Sequence, residues 1–132
     1  MLRIYTLCLA GIIGLGLGTA GCSGSSHHPA GNFGLRWSLA WTTGGGTTCS
    51  AVGATEVDLD LVDTFNNYGT YDRFICSDSQ GTSESLQPDD YTVTVKAYDA
   101  TGVLLSEWDS PVTYPIYAGS VTQLPDVVLL VK

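Results

Sequence analysis

The stretch LQPDDYTVTVKAYDATG, residues 86–102, decides how the rest of the chain is read. Tyr91, Val93, Val95 and Ala97 alternate with Thr92, Thr94 and Lys96, a period of two. Successive side chains of a strand point to opposite faces, so the pattern predicts a strand with one buried and one solvated side. Pro88, Asp89 and Asp90 precede it, and Asp99-Ala100-Thr101-Gly102 follows; both are turn-forming segments.

The same period recurs on either side. Phe33, Leu35, Trp37, Leu39 and Trp41 alternate with Gly34, Arg36, Ser38 and Ala40, which places Trp37 and Trp41 on one apolar face. Val57, Leu59 and Leu61 alternate with Glu56, Asp58 and Asp60. The segments YDRFICS, VLLSEWDS, PVTYPIY and VTQLPDVVLLVK read as further strands, with Pro115 marking an edge or a change of sheet. The glycine run in TTGGGTT reads as a flexible connection, and no segment carries a convincing helical stripe. Seven or eight short strands at spacings of about 8–12 residues predict an all-β, antiparallel β-sandwich.

The run from Leu86 to Gly102 also resembles the Leu-x-Pro…Tyr-x-Val-x-Val-x-Ala stretch of fibronectin type III and related immunoglobulin-like or transthyretin-like modules. Leu86, Pro88, Tyr91, Val93, Val95 and Ala97 carry the likeness. It implies an immunoglobulin-like sandwich and a tyrosine corner, with the Tyr91 hydroxyl bonded to upstream backbone. Fold does not set function.

The N-terminus has a different character. Arg3 precedes the apolar run Ile4 to Gly18, and Thr19-Ala20-Gly21-Cys22 closes it. A basic start, an apolar middle and a small-residue exit make a secretory signal. The ending Ala20-Gly21-Cys22 resembles the lipobox of bacterial lipoprotein signal peptides. That resemblance implies cleavage before Cys22, a diacylglyceryl group on its sulfur and acylation of its new amine. Ser23 in place of Asp implies export to the outer membrane of a Gram-negative cell. The expected organisation is a signal peptide over 1–21, a flexible tether over 22–32 that begins with lipidated Cys22, and the sandwich over 33–132.

The 132 residues contain 5 Lys and Arg against 13 Asp and Glu, a formal net charge of −8. Such a chain is repelled by nucleic acid, so the expected membrane association runs through the lipid anchor. Cys8 would leave with the signal, and Cys49 and Cys76 then form an even pair in an oxidising compartment, which predicts a disulfide.

Catalytic chemistry finds little support. His27 and His28 both lie in the tether, so a scaffolded Ser-His or Cys-His pair is not expected. The glycines of TTGGGTT lack the Lys and following helix of a phosphate loop. Asp58 with Asp60, and Asp89 with Asp90, are paired carboxylates without calcium-loop spacing, and read as a solvated face and a turn. Trp108 reads as half exposed. The chain is therefore read as non-enzymatic, without catalytic residues, metal ligands or cofactor.

A structural or binding role in the cell envelope is expected, with an envelope protein or a glycan as partner. A carbohydrate- or calcium-binding surface module is the alternative. The candidate binding loop is TFNNYGTYD, residues 64–72, where Phe65, Tyr68 and Tyr71 accompany Asn66, Asn67 and Gly69. Tyr offers large amphipathic contact area at low entropic cost, and Asn and Gly adapt locally. For the anchor, Cys22→Ala is expected to abolish incorporation of labelled palmitate and to release the chain from membranes. Retention of that variant in the membrane fraction would indicate an uncleaved helix instead.

Overall fold

The computed structural model describes residues 29–132. The signal segment, Cys22 and the pair His27–His28 lie outside the described residues. Among the described residues the chain forms ten strands and one short helix, in the order β1 (Asn32–Trp41), β2 (Gly46–Thr47), α1 (Cys49–Val52), β3 (Ala54–Asp63), β4 (Gly69–Ile75), β5 (Gln80–Thr82), β6 (Asp90–Asp99), β7 (Leu104–Asp109), β8 (Tyr114–Pro115), β9 (Val121–Gln123) and β10 (Val127–Val131). They make a β-sandwich of two sheets. The count exceeds the seven or eight expected because β2 and β5 are pairings of two and three residues. Such segments are too short to show an alternation.

In the first sheet β1 is central. Its first half pairs with β9 on one side and β5 on the other, and its second half with β10 and β2. Leu124-Pro125-Asp126 separates β9 from β10, so the two succeed each other along the same edge. The second sheet runs β4-β3-β6-β7, with β8 beside the start of β6. Pairing is antiparallel except at β1, which runs parallel to both β9 and β10. These two parallel pairs stand in an otherwise antiparallel sandwich, as expected: parallel neighbours need a crossover rather than a hairpin, and the intervening chain builds the whole second sheet.

Pairing also begins ahead of Phe33. Gly31 and Leu86 exchange backbone bonds of 3.0 and 2.8 Å, and Gly119 N–H reaches the Ala30 carbonyl at 2.9 Å. The glycine run is a tight turn rather than a loose connection. Gly44 and Gly45 hold φ of 105° and 88°, a region open to glycine, and let Trp41 N–H meet the Gly45 carbonyl at 2.9 Å.

The alternating residues read from the sequence face one another across the sandwich. Phe33, Leu35, Trp37 and Leu39 from β1 and Val127, Leu129 and Val131 from β10 bury against Val57, Leu59, Leu61, Val93, Val95 and Ala97. Each large aliphatic buried this way contributes about 1.5–3 kcal/mol. Trp41 departs from its expected place: at the end of β1 it is 37 % exposed and lines an open cleft with Val52 and Leu105. Trp108 is half-buried and packs against the core. The tyrosine corner is present, with the Tyr91 hydroxyl donating to the Gln87 carbonyl at 2.8 Å and its ring edge-on to Phe33.

The chain crosses between sheets at α1, from β2 to β3, and at a 3-10 turn Cys76–Asp78, from β4 to β5. The disulfide Cys49–Cys76 joins these crossings, with Cα atoms 6.0 Å apart. Beneath it the Trp37 indole Nε1–H donates to the Cys76 carbonyl at 2.9 Å, and Phe74 stacks on the indole at 5.7 Å between centroids. Gly81 closes this packing from β5: a Cβ there would sit 2.5 Å from two carbons of the Phe74 ring. Gly81→Ala is therefore expected to cost about 1–3 kcal/mol through forced displacement of Phe74. It should also shift tryptophan emission. Urea unfolding followed by fluorescence checks this, and an unchanged midpoint would contradict the packing described.

Candidate functional site

The β3–β4 connection is ordered by its own polar side chains. Asp63 ends β3 with its side chain buried, and its Oδ1 accepts Phe65 N–H at 2.8 Å and Asn66 N–H at 3.4 Å. Asn66 Oδ1 accepts Tyr68 N–H at 2.7 Å. Asn67 turns the chain at φ 57° and returns its N–H to the Asp63 carbonyl at 2.9 Å. Asx turns of this kind use the carboxylate or amide in place of a backbone acceptor. Thr64 ties the tip to β6, with both its N–H and Oγ1 on the Asp90 carbonyl at 3.0 Å.

This frame holds the aromatic side chains outward. Phe65, Tyr68 and Tyr71 are 85 %, 71 % and 60 % exposed. Tyr71 belongs to β4 rather than to the turn, opposite Asp60, and the Arg73 guanidinium lies 5.7 Å from its ring centroid. The structure thus brings all three candidate residues to one end of the β3–β4 hairpin.

A cleft of about 210 Å³ opens beside the hairpin, between it and the segment leading into β6. Tyr68, Asp72, Glu84 and Tyr91 are among its lining residues. Burial pushes the Asp72 carboxyl above its ordinary value of 3.8; a bond from Glu84 N–H opposes that and the Glu84 charge adds to it. Burial likewise raises the Tyr91 phenol, helped by the charges of Asp63 and Asp89. The sequence shows neither Asp63 as the organiser of the turn nor Asp72 and Glu84 as neighbours. Asp63 ahead of Thr-Phe-Asn-Asn is the signal that marks an Asx turn.

The carboxylates of Asp58, Asp60 and Asp89 are engaged. Asp58 faces outward on β3 yet is buried, because the Arg73 guanidinium covers it through two bonds of 2.8 Å. Lys96 holds Asp60 at 2.6 Å. The bond to Asp58 raises the Arg73 guanidinium and the bond to Asp60 raises the Lys96 ammonium. Asp89 Oδ1 accepts Asp90 N–H at 2.7 Å. Among the described residues no group of three or more His, Cys, Asp and Glu side chains is placed to hold a metal ion. No helix there is long and apolar enough to cross a membrane.

No protein family matches this chain, and no curated protein does. Among solved structures it resembles a leucine-rich repeat protein from Bacteroides thetaiotaomicron VPI-5482, at 16 % identity and a TM-score of 0.51. The likeness covers 80 % of this chain and only 14 % of that protein. At this identity it speaks to the sandwich fold alone.

The raised Asp72 value has a consequence for stability. The folded chain holds this proton longer than the unfolded chain, so stability falls as pH rises from the ordinary Asp value through the raised one. Asp72→Asn keeps an acceptor for Glu84 N–H and removes the titration. Its stability relative to wild type should therefore grow across that window and level off above it. Urea unfolding between about pH 3 and pH 7 checks the sign, and a relative stability that shrank with pH would refute it.

Proposed function

We propose that this chain is a lipid-anchored, non-catalytic protein of the bacterial cell envelope. Its sandwich presents the aromatic end of the β3–β4 hairpin to an envelope protein. The observation that carries the reading is the combination of exposure and order: Phe65 and Tyr68 face solvent on a turn held by Asp63 and Asn66, and Tyr71 faces solvent on the adjoining strand β4. Exposed aromatic groups on a pre-ordered loop bind without the entropic cost of ordering it. The Ala20-Gly21-Cys22 ending supports the anchor, and the outer membrane is the proposed location.

The glycan reading draws on the same tyrosines, since their rings can stack on sugars, and the acidic cleft beside Tyr68 would accept hydroxyl donors. The two readings separate by what is captured. A photocrosslinking residue at Phe65 in intact cells is expected to trap a protein. Tyr68→Ala with Tyr71→Ala should abolish that capture while shifting the melting temperature by less than about 4 °C, as suits exposed positions. Capture of glycan alone favours the second reading. A large fall in melting temperature with capture intact would sink both.

A further inference from the structure

The edges of the two sheets are guarded unequally. An edge strand offers unpaired backbone groups, and proteins blunt it by shortness or by charge. β7 carries Glu107 and Asp109, and β4 carries Asp72 and Arg73. β2, β5, β8 and β9 are two or three residues long. β10 is longer and uncharged: its sequence is VVLLV, among the described strands it pairs with β1 alone, and β7 of the other sheet runs near it without pairing to it.

The geometry of β10 says which groups are offered. The Val131 carbonyl accepts from Thr42 N–H, on the β1 side. Backbone direction alternates along a strand, so Val128 and Leu130 turn their N–H and C=O groups to the free edge. Their side chains are on the outward face, exposed, while Val127, Leu129 and Val131 are buried. Asp126 and Lys132 flank the strand and continue the exposed row.

We infer that β10 is the pairing edge for a second copy of this chain, joined antiparallel about a twofold axis at Leu129. In that register Val128 stands opposite Leu130 of the copy and exchanges both backbone bonds with it. Asp126 stands opposite Lys132 of the copy, and Lys132 opposite its Asp126. Buried faces meet buried faces, so the first sheet continues across the junction. The pairing is isologous, as a closed dimer requires.

Charge permits this approach despite the net −8 of the chain. The strands of the first sheet contain no Asp or Glu. The acidic ladder of Glu56, Asp58 and Asp60 lies on β3, in the other sheet.

The test is a charge swap read by sedimentation velocity on the full chain, purified from membranes in detergent. Wild type should sediment as a dimer. Asp126→Lys alone and Lys132→Asp alone each set like charges opposite at two symmetric positions, and should weaken the dimer about tenfold. The double variant restores opposite charges and should recover most of the wild-type association. Unchanged far-UV circular dichroism confirms that the surface variants fold. A monomeric wild type, a dimer indifferent to the single changes, or a double variant no better than the singles would each overturn the proposal. The first result would leave this edge to a strand of a different protein.

Discussion

The bond from the Trp37 indole to the Cys76 carbonyl is the point on which the two sheets are registered. Trp37 comes from β1, the spine of the first sheet, and Cys76 opens the 3-10 turn that follows β4 of the second. Because Cys76 is also bridged to Cys49, the same point joins two of the crossings between the sheets, the one at α1 and the one at the 3-10 turn. Removing the bridge would release a loop of about 28 residues and about 3–4 kcal/mol in the chain-entropy account. The indole needs a partner when buried, and this carbonyl supplies it. Phe74 and Gly81 then fit because the ring stacked on Trp37 leaves no room for a side chain on the facing strand.

The two sheets differ in chemistry on their outer faces. The second carries alternating charge, with Arg73 on Asp58 and Glu56 and Lys96 on Asp60. A face of paired ions is well solvated and discourages adhesion. The first sheet is nearly uncharged, with Arg36 among the neutral polar side chains of Gln80, Thr82 and Gln123, and ends in the unpaired edge of β10. The aromatic hairpin lies at one end of the charged sheet. The proposed binding through the hairpin and the proposed pairing through β10 therefore use separate surfaces.

Much of the fold is legible in the sequence because burial acts on alternate residues. Phe33 to Leu39, Val57 to Leu61 and Tyr91 to Ala97 each show it, and each lies in the core. The disulfide is legible because Cys49 and Cys76 are an even pair once the segment holding Cys8 and Cys22 is set aside. Trp41 misleads because alternation records the strand and not how tightly its last residue is covered. The parallel β1–β10 pairing has no local signature, since nothing near either strand specifies direction. Tyr71 reads as turn because strand boundaries blur where Asn and Gly accumulate. The partnership of Asp58 with Arg73 needs the β3–β4 register, and the cleft between Asp72 and Glu84 needs two separate elements brought together.

The account stands on the burial of the Trp37 indole under the disulfide, and the exchange rate of that Nε1–H measures it directly. In the oxidised chain the proton should exchange only through global unfolding, with a free energy matching the amides of Val57 and Val95. Reduction of Cys49–Cys76 should speed its exchange about a hundredfold, the factor that about 3 kcal/mol implies. Exchange in the oxidised chain as fast as that of the half-exposed Trp41 indole, or a rate unmoved by reduction, would contradict the claim that this junction holds the sheets together.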